Sequence, residues 1–152
     1  MSKHIHKEHN VNLMLYHLVC PAKYRKEVFT LEVEQALKEI CWDIQQRYEI
    51  RFVEIGTDEN HVHFLLQSVP AMLPTQMVRI IKSITAREMF KRRPEVKKLL
   101  WGGAFWTSGY YIQTVGKHGN EEVIQKYVQK QGGKYKNIHR TTVAEQLSLF
   151  LS

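Results

Sequence analysis

A chain of 152 residues, 43% hydrophobic and 24% charged, has the size and composition of a single domain that buries its own core. It contains no apolar run of the roughly 18 residues that a membrane span needs. The polar start MSKHIHKEHN lacks the apolar centre of a signal peptide, and Cys20 and Cys41 form no C-x-x-C pair, so the expectation is a reduced, cytoplasmic protein with no membrane partner. The net charge of +7 is clustered: Arg79 to Lys98 holds eight Lys and Arg against two Glu. Lys126, Lys130, Lys134, Lys136 and Arg140 follow with no acid among them. Such clustering points to nucleic acid, against the plainer reading of a solvated basic face.

In chain order, HNVNLMLYHLVC is rich in apolar and β-prone residues and predicts a first strand, ended by Pro21. TLEVEQALKEICWDIQQRYEI predicts a helix: Thr30 is a suitable N-cap, Glu32 and Glu34 suit the positive end of the dipole, and Val33, Leu37, Ile40, Ile44 and Tyr48 recur at helical spacing. IRFVEIGT, the turn DEN and HVHFLLQSV predict a hairpin of strands two and three. A second helix runs from Pro74 to about Arg92, with Met77, Ile80, Ile81 and Ile84 on its inner face, and Pro94 breaks it. AFWTSGYYIQTVG predicts an aromatic fourth strand. After the link GKHGN, Asn120 caps a short helix, EEVIQKYVQKQ, which Gly132 and Gly133 terminate. The order β-α-β-β-α-β is that of an α+β, ferredoxin-like sandwich with helices over one face of the sheet, here with an added C-terminal helix.

The hairpin holds the most informative pattern. Side chains alternate along a strand, so Val62, Phe64 and Leu66 share the helix-covered face while His61, His63 and Leu65 share the other. The two histidine Cα atoms then lie roughly 6.5 Å apart, near enough for both rings to reach one ion. The alternative is two unrelated surface histidines. His4-Ile5-His6 shows the same spacing in a polar terminus with no strand behind it and reads as a loose tail. Zinc is disfavoured because no third His or Cys completes an obvious set. In the last helix, Tyr127 and Gln131 stand four residues apart on one face, and taken alone Tyr127 reads more readily as a core anchor.

H-hydrophobe-H on a central strand followed by a helical Tyr-x-x-x-Gln resembles the single-tyrosine HUH transposases of small bacterial and archaeal insertion sequences, the TnpA-like proteins. YHLVCPAKYRKEVF resembles that family's first strand and basic loop, and LLWGGAFWTSGYYIQTVG its aromatic fourth strand. The likeness runs from about residue 10 to 133, which sets a transposase domain over 1–133 and leaves 134–152 as a basic connector and tail. One departure is Asn60, where the family often carries Asp before the first histidine.

The resemblance implies cleavage and rejoining of single-stranded DNA at hairpin-bearing element ends through a covalent 5′-phosphotyrosine. Tyr127 is then the nucleophile, and His61, His63 and Gln131 hold a divalent metal, Mg2+ or Mn2+. Such ligands on a phosphate suit those ions. The resemblance also implies a homodimer with composite sites, the tyrosine helix from one chain meeting the histidine pair of the other. Arg79, Lys82, Arg87, Lys91 and Arg92 of the second helix, with Lys130, are the expected backbone contacts. Trp101, Phe105, Trp106, Tyr110 and Tyr111 are candidates for core packing first and base stacking second. Two other readings compete: a domesticated relative that processes chromosomal palindromic repeats, and a non-catalytic nucleic-acid-binding module. In the tail, Gln146, Leu147, Leu149 and Phe150 resemble the short peptide by which bacterial proteins dock on the replication sliding clamp, against the alternative of an end packed on its own domain.

Overall fold

The computed structural model describes residues 14–116 and 135–140. Five strands, β1 (Met14–Pro21), β2 (Ile50–Thr57), β3 (His61–Ser68), β4 (Tyr111–Gly116) and β5 (Lys136–Arg140), form one sheet in the order β4-β1-β3-β2-β5. Every pairing is antiparallel. Helices α1 (Leu31–Arg47) and α2 (Pro74–Arg92) join β1 to β2 and β3 towards β4, with a short α3 (Pro94–Leu99) after them. The first four strands and the two long helices thus have the ferredoxin-like arrangement.

Local chemistry accounts for the elements. The Thr30 hydroxyl accepts from the Val33 amide at 3.3 Å and caps α1, with Glu32 and Glu34 in the first turn. Val33, Leu37, Ile40 and Ile44 are buried as their spacing requires. On α2, Met77, Ile81 and Ile84 are buried and Ile80 packs partly against the same core. These helices cover Leu18 and Cys20 of β1, Val62, Phe64 and Leu66 of β3, and Phe52 and Ile55 of β2. Full burial of each such Leu, Ile or Phe contributes about 1.5–3 kcal/mol.

The structure departs from the sequence reading in three places. Pro94 does end α2, but its fixed φ also opens α3 from the first helical position. The fourth strand begins at Tyr111, not Ala104. Residues before it are drawn inward instead: Phe105 and Trp106 enter the core, and the Trp106 indole donates to Thr85 Oγ1 at 2.8 Å. Finally, the basic connector supplies a fifth strand, Lys136–Arg140, along the outer edge of β2. Two buried carboxylates hold it there. Glu34 accepts from Lys136 Nζ at 2.7 Å, and Glu54 accepts from Arg140 Nε at 3.1 Å. The helix expected to carry Tyr127, and the His4-Ile5-His6 segment, lie outside the described residues.

Candidate active site

The turn at 58–60 sets the start of β3. The Asp58 carboxylate accepts from the Glu59 amide at 2.8 Å, and the Asp58 amide donates to the His61 carbonyl at 2.9 Å. From there alternation does the rest: Val62, Phe64 and Leu66 enter the helix-covered core, and His61 and His63 face the other side as expected. Their ring centroids are 4.8 Å apart.

Each ring is oriented by a neighbour. His61 Nδ1 lies 2.8 Å from Asn60 Oδ1, so the amide oxygen accepts the Nδ1 proton and leaves Nε2 as the lone-pair nitrogen. Asn60 therefore orients the His61 ring without adding a charge. The Asp58 carboxylate lies 3.7 Å from His61 Nε2. His63 Nδ1 lies 3.2 Å from Nε2 of His17, a β1 residue on the same face whose ring stacks on that of His63 at 5.3 Å. When His63 donates through Nδ1 to His17, its Nε2 likewise carries a lone pair. Burial, followed by the repulsion of His17 and His61 and opposed by Asp58, pushes the His63 pKa down to about 4. His63 is consequently neutral at pH 7, the form that binds a metal.

Three residues that sequence reasoning missed complete this surface. Tyr135 stacks flat on His63, centroids 4.0 Å apart and planes 14° from parallel. Its hydroxyl donates to Glu54 Oε1 at 3.0 Å. Gly56 lies opposite His63 in the β2–β3 register, and a Cβ there would overlap the Tyr135 ring. The glycine is required by this close approach.

The described residues do not by themselves make a complete metal site. Among them no group of three His, Cys, Asp or Glu side chains is placed to hold an ion. His61 and His63 offer two neutral imidazole nitrogens on one face, a donor set that fits a divalent cation needing further oxygen ligands. Tyr127, Lys130 and Gln131 lie outside the described residues, as do Gln146, Leu147, Leu149 and Phe150. Thiol chemistry is disfavoured: burial pushes Cys20 up to about 12 and Cys41 well above its ordinary value.

The basic helix divides by role. Arg79, Lys82 and Arg87 line one cleft of about 700 Å3 with Phe90, Trp106 and Tyr110. Within it Lys82 Nζ donates to the Thr107 carbonyl at 2.8 Å, which ties α2 to the loop before β4. Lys91 is exposed. Arg92 faces three carboxylates, Asp43 at 3.0 Å, Glu88 at 3.5 Å and Glu39 at 3.6 Å, an internal clamp between α1 and α2 that charge clustering alone does not suggest. No helix among the described residues is long and apolar enough to cross a membrane.

Known proteins share this architecture. The family model described as Transposase IS200 like matches residues 10–131. The chain is 36% identical over 119 residues to the ISDra2 transposase TnpA of Deinococcus radiodurans, covering 78% of this chain and 84% of that one. It is 28% identical over 134 residues to the transposase for insertion sequence element IS200 of Salmonella typhimurium, covering 88% and 83%. The crystal structure of a candidate transposase from Deinococcus radiodurans matches with a TM-score of 0.66 at 33% identity, over 82% of this chain and 95% of that one. A REP-associated tyrosine transposase, solved bound to a REP hairpin, shares the fold with a TM-score of 0.50 at 10% identity, over 84% and 73%. The class these relatives define is the transposases, which cleave DNA and transfer its strands. Within it, this chain belongs to the IS200-like transposase family.

Proposed function

We propose that this transposase cuts and rejoins single-stranded DNA carrying hairpins near its ends, through a 5′-phosphotyrosine on Tyr127. The observation that carries the reading is the pair of oriented imidazoles, His61 and His63, side by side on a central strand and with His63 neutral at physiological pH. These two with Gln131 are the residues to hold Mg2+ or Mn2+, which when bound supplies charge stabilisation at the scissile phosphate. Asn60 holds His61 in the tautomer that presents Nε2, and His17, when it accepts from His63 Nδ1, does the same for His63. The Tyr127 oxygen attacks phosphorus, a P–O bond to tyrosine forms, and the bond to the 3′ oxygen breaks to leave a 3′-OH. A phenol with an ordinary pKa near ~10 must give up its proton in that step. The bond energy stays in the phosphotyrosine, so attack by another strand's 3′-OH reseals the DNA without ATP. The proposed assembly is a homodimer in which the Tyr127 helix of one chain meets the histidine pair of its partner.

Single-stranded element-end DNA incubated with Mg2+ is the direct test. A covalent protein–DNA adduct forms with the parent chain and disappears to background in Tyr127→Phe, which removes only the nucleophilic oxygen. His61→Ala, His63→Ala and EDTA each abolish cleavage. An adduct from the Tyr127→Phe chain, or undiminished cleavage in chelator, overturns the mechanism.

A further inference from the structure

Three non-glycine residues among those described adopt positive φ: Tyr24 at 61°, Arg25 at 52° and Trp101 at 53°. Bulky side chains rarely occupy that region, and such outliers gather where a site needs an unusual side-chain direction. All three lie on two loops stitched together by main-chain hydrogen bonds. The Lys23 amide donates to the Phe105 carbonyl at 2.8 Å, and the Thr107 amide donates to the Pro21 carbonyl at 3.0 Å. The aromatic residues of these loops separate sharply. Phe105 and Trp106 are 0% and 5% exposed, whereas Tyr24 and Trp101 are 54% and 70% exposed. The two outward rings meet edge to face, centroids 5.0 Å apart at 64°.

Cations surround them. Lys26 Nζ lies 4.8 Å from the Trp101 ring centre and Lys23 Nζ 5.4 Å from that of Tyr24, with Arg25 exposed between. Among the described residues no carboxylate forms an ion pair with Lys23, Arg25 or Lys26. The patch is also continuous with the histidine site. Pro21 pairs with His61 across β1 and β3, and the Ala22 amide donates to the Asn60 carbonyl at 2.8 Å. The loop carrying Tyr24 thus leaves the sheet beside the first histidine.

We infer that Trp101 and Tyr24 form a stacking platform for an unpaired base of the DNA strand lying at His61 and His63, with Lys23, Arg25 and Lys26 against its phosphates. The inference rests on the single-strand reading above. Exposed π faces beside cations that no described carboxylate pairs match the two surfaces of single-stranded DNA, its bases and its phosphates. Stacking tolerates any base, so this platform positions the strand and leaves recognition of its sequence to other contacts.

The test is binding of the full chain to a short oligodeoxythymidylate and to an abasic oligonucleotide of equal length, both in EDTA so that no cleavage intervenes. A Trp42→Phe background removes the other exposed tryptophan. The thymidylate quenches Trp101 fluorescence and binds about tenfold more tightly than the abasic strand, in keeping with one stacked base. Trp101→Gly, which suits a positive φ, loses about tenfold in affinity for the thymidylate and binds both strands alike. Tyr24→Gly moves in the same direction, and Trp101→Phe retains most of the preference. Equal binding of both strands by the parent, or thymidylate binding undiminished in both glycine variants, overturns the platform. The Tyr127→Phe chain shows the same quenching and preference. Adduct formation by the parent with no quenching therefore sinks the platform alone, and quenching with no adduct sinks the nuclease mechanism alone.

Discussion

His17 illustrates how one side chain sets the chemistry of another. It stands diagonal to His63 across the β1–β3 pair, opposite Leu65, and its Nε2 meets His63 Nδ1. Removing it frees the His63 ring to rotate or change tautomer. Losing a partner of this kind lowers metal affinity or activity, and here the proposed effect is on affinity. His17→Ala is therefore expected to weaken Mn2+ binding about 10- to 100-fold in a calorimetric titration, with cleavage recovering towards the parent as metal is raised. His17→Gln, which keeps an acceptor near Nδ1, retains more of the affinity. Mn2+ binding unchanged in His17→Ala would assign the contact to packing alone. The orientation of His61 and His63 was legible in the sequence because alternation on a strand with an apolar face leaves little choice. His17 was not legible, because only the register of β1 against β3 brings it to His63. Lys82 and Arg92 were read by charge, and charge does not reveal a carbonyl or three carboxylates waiting in the fold.

Among the elements, β5 shows most clearly what a local reading misses. Lys136 and Arg140 look like a solvated or DNA-facing run until Glu34 and Glu54, about a hundred residues and more than eighty residues earlier in the chain, are seen to accept from them. Thr57 shares Glu34, donating to its other oxygen at 2.6 Å, so α1, β2 and β5 meet at one buried carboxylate. Periodicity fixes helices and central strands because their own residues face a common core. An edge strand held by long-range ion pairs carries no such periodic mark. Tyr135 enters this arrangement over Gly56, and a Gly56→Ala chain must move either the ring or the strand. The expected loss is about 1–3 kcal/mol, seen as a lower Tm in thermal denaturation. In a Tyr135→Ala background the same substitution should cost far less, because the overlap has gone. Equal losses in both backgrounds would show that Gly56 is required for the β2 backbone and not for the ring.

At the scale of the whole molecule, the sheet separates stability from chemistry. One face is committed to α1 and α2, and the other presents the histidine pair beside Tyr135. The proposed nucleophile, Tyr127, comes from a later part of the sequence than this sheet face. The GKHGN stretch before the segment predicted to carry Tyr127 contains two glycines, so the sequence is compatible with delivery either to the same chain's sheet or to a partner's. The proposed dimer takes the second path, and subunit mixing separates the two. A Tyr127→Phe chain keeps its histidines and lacks a nucleophile; a His61→Ala chain has the reverse defect. Neither homodimer can cleave. If sites are composite, each mixed dimer joins the intact histidines of the first chain to the intact tyrosine of the second. Random mixing makes half the dimers mixed, with one of two sites restored, so about a quarter of the parent's adduct yield is expected. If each site is built within one chain, mixing restores nothing, since every chain lacks one component. Absence of adduct after subunit exchange has been verified by mass would place Tyr127 at the histidine pair of its own chain, and each site would then be built within a single subunit.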